Sequence, residues 1–508
     1  MRVFTLTAVV FTAANFLAAE ELVMDHASKF VIDELQQAVA IQPTKATSEA
    51  GAAVKKIREE LAAKQQAWER RLKPGAGTAE LLRGIPENIL KEARKVAHDK
   101  AAVAQALKNR PSLALFLALA AERNPEVLSA HQNWRASVRR FDQADYLQDL
   151  ESQFNAFTRE LDTKIGPQTN RPMPGVYPSA LSIKGEVIDL DVQIAWLNYL
   201  QTLRKTLNGA AKAYFDVQYT IHSAAIAKES RALFAQMVES TRSQLEAGNA
   251  SQADLLKSQA ELAGLDTRIA TLERERINDV AKLNSMLALA PATEWGAWAE
   301  TDLRNVEIPS EEAVKLALSD SQEVLAAHKE AELMPAMVRM AEVEVTPHAG
   351  PGFSQFSPTQ GAVAGPTRSM MAAFPEKQEV SGGEAAMYSA NAAYLEELRV
   401  RVQQSKDMLE SAQAKAEFSA KDAEFRLDRA QRDEKTYSEV VVPNLNQAFE
   451  TLRERYNNNR VPLIEYLDAG RSWLGNSLTL QGARRDRNQA LADLQDALGR
   501  SAAELLEK

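Results

Sequence analysis

The sequence predicts a mainly α protein built from two tandem copies of a long antiparallel helical hairpin. Three observations predict it. Breakers are few, with 21 Gly and 19 Pro in 508 residues, and they cluster between long Ala-, Leu- and charge-rich stretches of helical pattern. A short turn occurs twice, as LEAGNASQADLL (Leu245 to Leu256) and YNNNRVPLIEYL (Tyr456 to Leu467). Finally, landmarks repeat in the same order along the chain.

The turns follow one chemistry with different letters. In the first, Gly248 suits the left-handed residue that ends a helix. Ser251 then caps the next helix, with Asp254 as capping-box partner. In the second, Asn459 tolerates positive φ, and Pro462 suits a first helical turn that needs no donor.

The segment Pro125–His131 (PEVLSAH) returns as Gln322–His328 (QEVLAAH), and Gly185-Glu186 returns as Gly383-Glu384. With the paired turns, these landmarks define two halves of roughly 190 residues each, read as 111–300 and 301–508.

In chain order, the first nineteen residues carry one Arg and then an apolar run ending in small residues. This fits an export signal cut near Ala18 or Ala19; the other reading is a buried first helix. Residues 20–110 read as an accessory helical segment with no partner copy. Each half then runs helix, breaker-rich stretch, long helix, turn and return helix. The first long helix spans Glu186 to Ala247 with only Gly209 interrupting it, a rod of about 90 Å. Its counterpart runs from Glu384 to Val442, pauses at Pro443 and resumes. Rods of this length need parallel neighbours, as in a bundle or coiled coil. Return helices are expected at Ser251 to Ala290 and Pro462 to Leu498, with Gly470 and Gly475 allowing close approach. The breaker-rich stretches, Phe154–Gly185 and His348–Gly383, are each long enough for two short strands and a loop. Neither alternates cleanly, so surface loops compete with strands.

Hydrophobic residues make up 45% and charged residues 25% of the chain, as in an ordinary folded protein. The net charge of −9 and the interleaving of acids and bases give no reason to expect nucleic acid. With no cysteine, disulfides, thiol catalysis and Cys-based metal sites are excluded. There is no phosphate loop, nucleophile elbow or His-Glu-x-x-His motif, so neither an enzyme nor a cofactor is expected. Met334, Met337 and Met340 recur at intervals of three; soft thioethers bind Cu(I) or Ag(I), but such a stripe is more often packing. His131 and His328 are repeat-equivalent and read as structural.

At the paired turns, QLEAGNASQADLLKSQ and RYNNNRVPLIEYLDAGR, the sequence resembles the TolC-like outer-membrane efflux family. LALAAERNPEV and AKAYFDVQY (Ala211 to Tyr219) are similar to its helical openings and its long-helix signature. VYPSALSIKGEV, AFPEKQEVSGGEA and VVPNLNQAFETLRERY look nearest its metal-efflux-type branch. The likeness covers about Pro111 to Arg500. It implies a homotrimer whose hairpins form an α-barrel, with a small β-barrel portion of four short strands per protomer in the outer membrane and the tunnel extending into the periplasm. It also implies a passive conduit docking a periplasmic adaptor and an inner-membrane pump. The alternative is a periplasmic helical scaffold derived from the family without a membrane barrel.

The resemblance points to two sets of residues. Glu465 and Asp468 share a helix face and fall where relatives place acidic residues at the tunnel's constriction. In a trimer they would form stacked carboxylate rings, with Arg460 and Arg471 as ion-pair partners in a closed state. The plainer reading is an exposed acidic pair near a helix N-terminus, where the dipole favours it. For adaptor contact the tips offer Leu245, Ala247, Gly248 and Ser251 from the first turn, and Tyr456, Asn459, Val461 and Leu463 from the second. Simple turn formation is the competing role.

Overall fold

The computed structural model describes residues 43–73, 78–109, 111–144, 178–298, 300–301, 303–345, 380–458 and 460–506. Among these, every regular element is helical. An accessory set comes first: α1 (Pro43–Arg71), α2 (Glu87–Val96) and α3 (Lys100–Asn109). Next come α4 (Leu113–Arg123), α5 (Pro125–Val138), α6 (Pro178–Glu246) and α7 (Gln252–Met286). The same order then recurs as α8 (Ser310–Asp320), α9 (Gln322–Val345), α10 (Val380–Thr436) with its continuation α11 (Val442–Asn457), and α12 (Leu463–Ala497). The breaker-rich stretches fall mostly outside the described residues, but Pro178–Gly185 is already the start of α6 rather than a loop or strand.

Two compact units divide the chain. One holds Met1–Glu69, Val138–Asp191 and Ala331–Gln404; the other holds the remainder. In the first unit, α1 lies along the start of α6. Gly185 has no room for a side chain there, because a Cβ would meet Leu61 Cδ2 at 2.3 Å. Trp68 Nε1 donates to Asp189 Oδ1 at 2.9 Å, Lys64 Nζ to Asp189 Oδ2 at 3.1 Å, and Gln65 to Asp142 at 2.7 Å. Arg339 of α9 donates to Glu186 at 2.6 Å.

The second unit carries the larger core. α4 is apolar almost all round (LALFLALAAER) and is buried almost all round, from Leu113 through Ala120. Ser112 caps it by accepting from Leu115 N–H. Asn124 works at two helix ends: its Oδ1 accepts from the N–H groups of Glu126 and Val127, while its Nδ2 donates to Met286 O at the end of α7.

The four long helices of this unit form a layer in a definite order. α7 lies on α6 through Leu272 against Ala224 and Ala227 and through the Lys228–Glu273 ion pair at 2.8 Å. α6 lies on α12, where Lys212 pairs with Asp493 at 2.7 Å and Gln489 donates to Asp216 at 2.7 Å. α12 lies on α10 and α11, through Arg487 with Glu434 at 3.4 Å and Phe449 stacked on Tyr466. α7 also meets α12 near the tips, where Arg471 pairs with Glu261 and Leu265 joins the α12 side chains, so α6 and α12 are the inner pair and α7 and α10–α11 the outer helices.

Two expectations about helix continuity change. Gly209 does not interrupt α6, which runs through it unbroken. Pro443 does not pause the second rod either. A π turn at Tyr437–Val441 precedes it, with Val442 N–H bonded back to Tyr437 O. The ring blocks the ordinary i→i−4 bond, and the extra residue of the π turn absorbs the misfit.

Candidate functional site: the paired hairpin tips

Both turns are built from their residues as helix stops. Gly248 sits at φ +77°. Asn249 N–H bonds to Gln244 O at 2.7 Å and Gly248 N–H to Leu245 O at 3.0 Å, the pair of bonds that defines a Schellman ending. The capping box follows: Asp254 N–H donates to Ser251 Oγ, and Ser251 N–H donates to Asp254 Oδ2. The Ser251 hydroxyl also donates to Asp254 Oδ2 at 2.7 Å, and this bond, then the one from Ser251 N–H, holds the Asp254 carboxyl below its ordinary range.

The second turn ends its helix with the same long bond, Arg460 N–H to Arg455 O at 2.8 Å. Asn459 lies outside the described residues. Pro462 occupies the N-cap, one position before the first helical residue where it was expected, and makes no side-chain cap. The second return helix thus starts without a box.

The two tips are joined within one chain. Phe234, Met237, Leu265, Phe449, Tyr456, Leu463, Tyr466 and Leu467 form one buried cluster drawn from α6, α7, α11 and α12. Gly470 is the close contact in it, since a Cβ there would lie 2.9 Å from Phe234 and 3.1 Å from Phe449. The Tyr456 hydroxyl and the Thr241 hydroxyl are 2.9 Å apart, Gln244 Nε2 donates to Tyr456 O at 2.9 Å, and Ser240 donates to Asn457 at 3.0 Å. Burial pushes the Tyr466 phenol up to about 12, so it is a neutral packing ring.

The structure separates the residues named from the sequence. Glu465 and Asp468 are both exposed on α12. Asp468 pairs with Arg471 at 3.2 Å, and Arg471 also reaches Glu261 of the first hairpin. Among the described residues, neither Glu465 nor Arg460 has an ion-pair partner. Gly248 and Ser251 are exposed and Leu245 is half-buried, whereas Tyr456 and Leu463 are 3% and 4% exposed. The apolar side chain facing solvent at the second tip is Ile464. Met334, Met337 and Met340 are half-buried on α9. His131 stands edge-on to Trp134 and Tyr199, as a structural side chain would.

Sequence reading missed a buried polar network far from the tips. Arg204 is 2% exposed and donates to both carboxylate oxygens of Glu323, at 2.6 and 2.8 Å. Its Nε lies 3.2 Å from Asp496 in an ion pair too bent for a hydrogen bond. Asn208 donates to Asp496 at 2.9 Å and accepts from Ala502 N–H at 2.7 Å. Beside them, Gln322 donates to Gly499 O at 2.8 Å. Burial by itself would raise the Glu323 carboxyl, but Arg204 and then Lys205 outweigh it and the net shift is downward. The available signal was a charge beside Leu203 and Leu207 on an apolar helix face, which needs a buried counter-charge.

No protein-family model and no curated protein matches the chain. Solved structures do. The outer-membrane channel OprN superposes with a TM-score of 0.57 at 14% identity, over 79% of this chain and 93% of that one. The outer-membrane protein VceC of Vibrio cholerae gives 0.54 at 12% identity, over 77% and 96%. The open state of the MtrE outer-membrane channel of Neisseria gonorrhoeae gives 0.53 at 14% identity, over 78% and 91%. The fold of this chain is the fold of those outer-membrane channels.

Proposed function

We propose that this chain is the outer-membrane channel component of a tripartite export system, a passive conduit docking a periplasmic adaptor and an inner-membrane pump. The observation that carries the reading is the fold shared with outer-membrane channels, together with two helical hairpins whose tips are joined around one core. In this proposal residues 1–19 are the export signal, 111–300 and 301–508 are the two repeats, and three copies close an α-barrel. The four short strands per protomer implied by the resemblance are a proposal that falls outside the described residues. The junction motifs support a proposed likeness to the metal-efflux-type branch.

Glu465 and Asp468, with Arg460 nearby, are the proposed constriction. Their exposure on the first turns of α12 suits a solvent-lined passage. The adaptor is proposed to meet the tips at Leu245, Gly248, Ser251 and Asn459, while Tyr456 and Leu463 shape the surface from beneath and Ile464 adds an apolar contact.

Membrane fractionation followed by a native gel tests the reading. A trimer in the outer-membrane fraction is the expected result. A soluble periplasmic monomer overturns it in favour of the helical scaffold.

A further inference from the structure

The two repeats differ at the short helix that opens each of them. With Pro125–His131 set on Gln322–His328, Leu115 and Ala118 of α4 correspond to Glu312 and Lys315 of α8. The two charged side chains face solvent, whereas Leu115 and Ala118 are 4% and 0% exposed. α6 covers one side of α4, where Phe116 meets Tyr214. A helix apolar all round needs a second cover, and the accessory helices supply it. α2 packs on α4. Arg94 pairs there with Glu122 at 2.9 Å, and Arg123 donates to Ala97 O at 2.5 Å. Leu81, Leu82, Ile85, Ala93, Val103 and Leu107 are all buried, so residues 78–109 are part of the core.

The same segment is tied at both ends to parts of the chain far from it in sequence. Near its start, Gly84 sits at φ +91° against the 3-10 turn Ala502–Leu506, and a Cβ there would lie 2.2 Å from Ala503 O. Near its end, Gly296 N–H donates to Leu107 O at 3.1 Å, and a Cβ on Gly296 would lie 2.1 Å from Lys108 O. Both close approaches are to backbone oxygens, which no side-chain rotation can relieve. Gly296 belongs to the linker between the repeats, which also brings Trp295 edge-on to Phe116. Arg304 N–H, further along that linker, donates to Leu505 O at 3.2 Å. One short segment therefore holds α4 of the first repeat, the linker, and the turn that follows α12.

We propose that residues 78–109 are a strap that fastens the bases of the two repeats into one block, and that it opens as a single unit together with the turn Ala502–Leu506. The 35 residues of α7 put this end of the hairpins roughly 50 Å from the tips. The strap and the aromatic cluster at the tips are thus separate fastenings. The inference concerns a single copy of the chain and does not depend on the channel reading; a soluble monomer would leave it standing.

Hydrogen exchange read by mass spectrometry on the full-length protein tests it. Gly84→Ala sets a methyl against Ala503 O at a left-handed φ. Amides across 78–109 and 502–506 are then expected to exchange roughly tenfold faster, while the first turn of α7 keeps its wild-type rate. Gly296→Ala acts through a different contact at the other end of the strap and should loosen the same residues. Because the chain has no cysteine, Lys108→Cys and Glu294→Cys can be joined by a bismaleimide; in the Gly84→Ala background this should slow exchange across 78–109 again. Loosening that stops at α2 and leaves α3 protected would mean independent contacts and would overturn the strap. So would loosening that spreads to the tips, or unchanged exchange in both glycine variants. If Gly84→Ala does not fold, Gly296→Ala decides by the same criteria.

Discussion

Arg204 shows how one side chain ties distant parts of the chain. Its guanidinium joins α6 to the start of α9 and to the end of α12, with Asn208 carrying the link on to Ala502. Arg204→Met leaves two carboxylates facing an apolar side chain. Breaking a buried pair costs about 3 to 5 kcal/mol, and because Glu323 and Asp496 are each about a third exposed, the loss belongs at or below the lower figure. Denaturant unfolding measures it. The pH dependence has a definite sign. The folded Glu323 carboxyl titrates below its ordinary 4.5, so its contribution is complete above that pH and is lost as pH falls through the folded value. In Arg204→Met the Arg204 charge no longer lowers the Glu323 carboxyl, so acid destabilisation should begin at higher pH. A wild-type-like acid limb would remove Glu323 from the account.

Gly470 and the acidic pair of α12 belong to the same scale. Gly470→Ala forces a methyl between Phe234 and Phe449, and overpacking of this kind costs about 1 to 3 kcal/mol; a thermal melt showing no loss would mean the rings yield freely. At the proposed constriction, Glu465→Gln with Asp468→Asn should lower cation selectivity in single-channel recordings. Unchanged selectivity would leave the pair as a solvated face at a helix start.

At the scale of elements, the two turns differ in how they are held. The first has a Schellman ending and a capping box, so Ser251→Ala should cost about 1 kcal/mol, read as faster amide exchange over the first turn of α7. The second has no box and depends on the aromatic cluster beneath it, where Tyr466 stacks on both Phe449 and Tyr456. This difference directs the docking test. Leu463→Asp would place a charge in that core and unfold the tip. Leu245→Asp and Ile464→Asp put the charge at the accessible rim instead, and are expected to abolish export while the oligomer remains. Export that survives both changes sinks the tip-docking proposal. The π turn is the other element-level device. The wider turn accommodates Pro443, and beyond it α11 buries Phe449 and Tyr456 in the core.

For the whole molecule, the conduit proposal requires further copies beside the four long helices of the second unit. Much of the plan was readable from the residues. Periodicity, sparse breakers and repeated turns define long hairpins because helix geometry is local: Gly248 stops a helix and Ser251 starts one through bonds spanning a few residues. Local patterns said less where two effects competed. Pro443 pointed to a break, but an otherwise continuous helix absorbed it as a π turn. The resemblance offers Tyr456 and Leu463 for adaptor contact, yet the second hairpin packs on the first and buries them. Which face of α12 meets α6, which carboxylates reach Arg204, and which glycine is crowded (Gly470) or open (Gly264) were decided only in three dimensions. Those answers depend on side chains more than a hundred residues apart, and no local rule of spacing carries information across that distance.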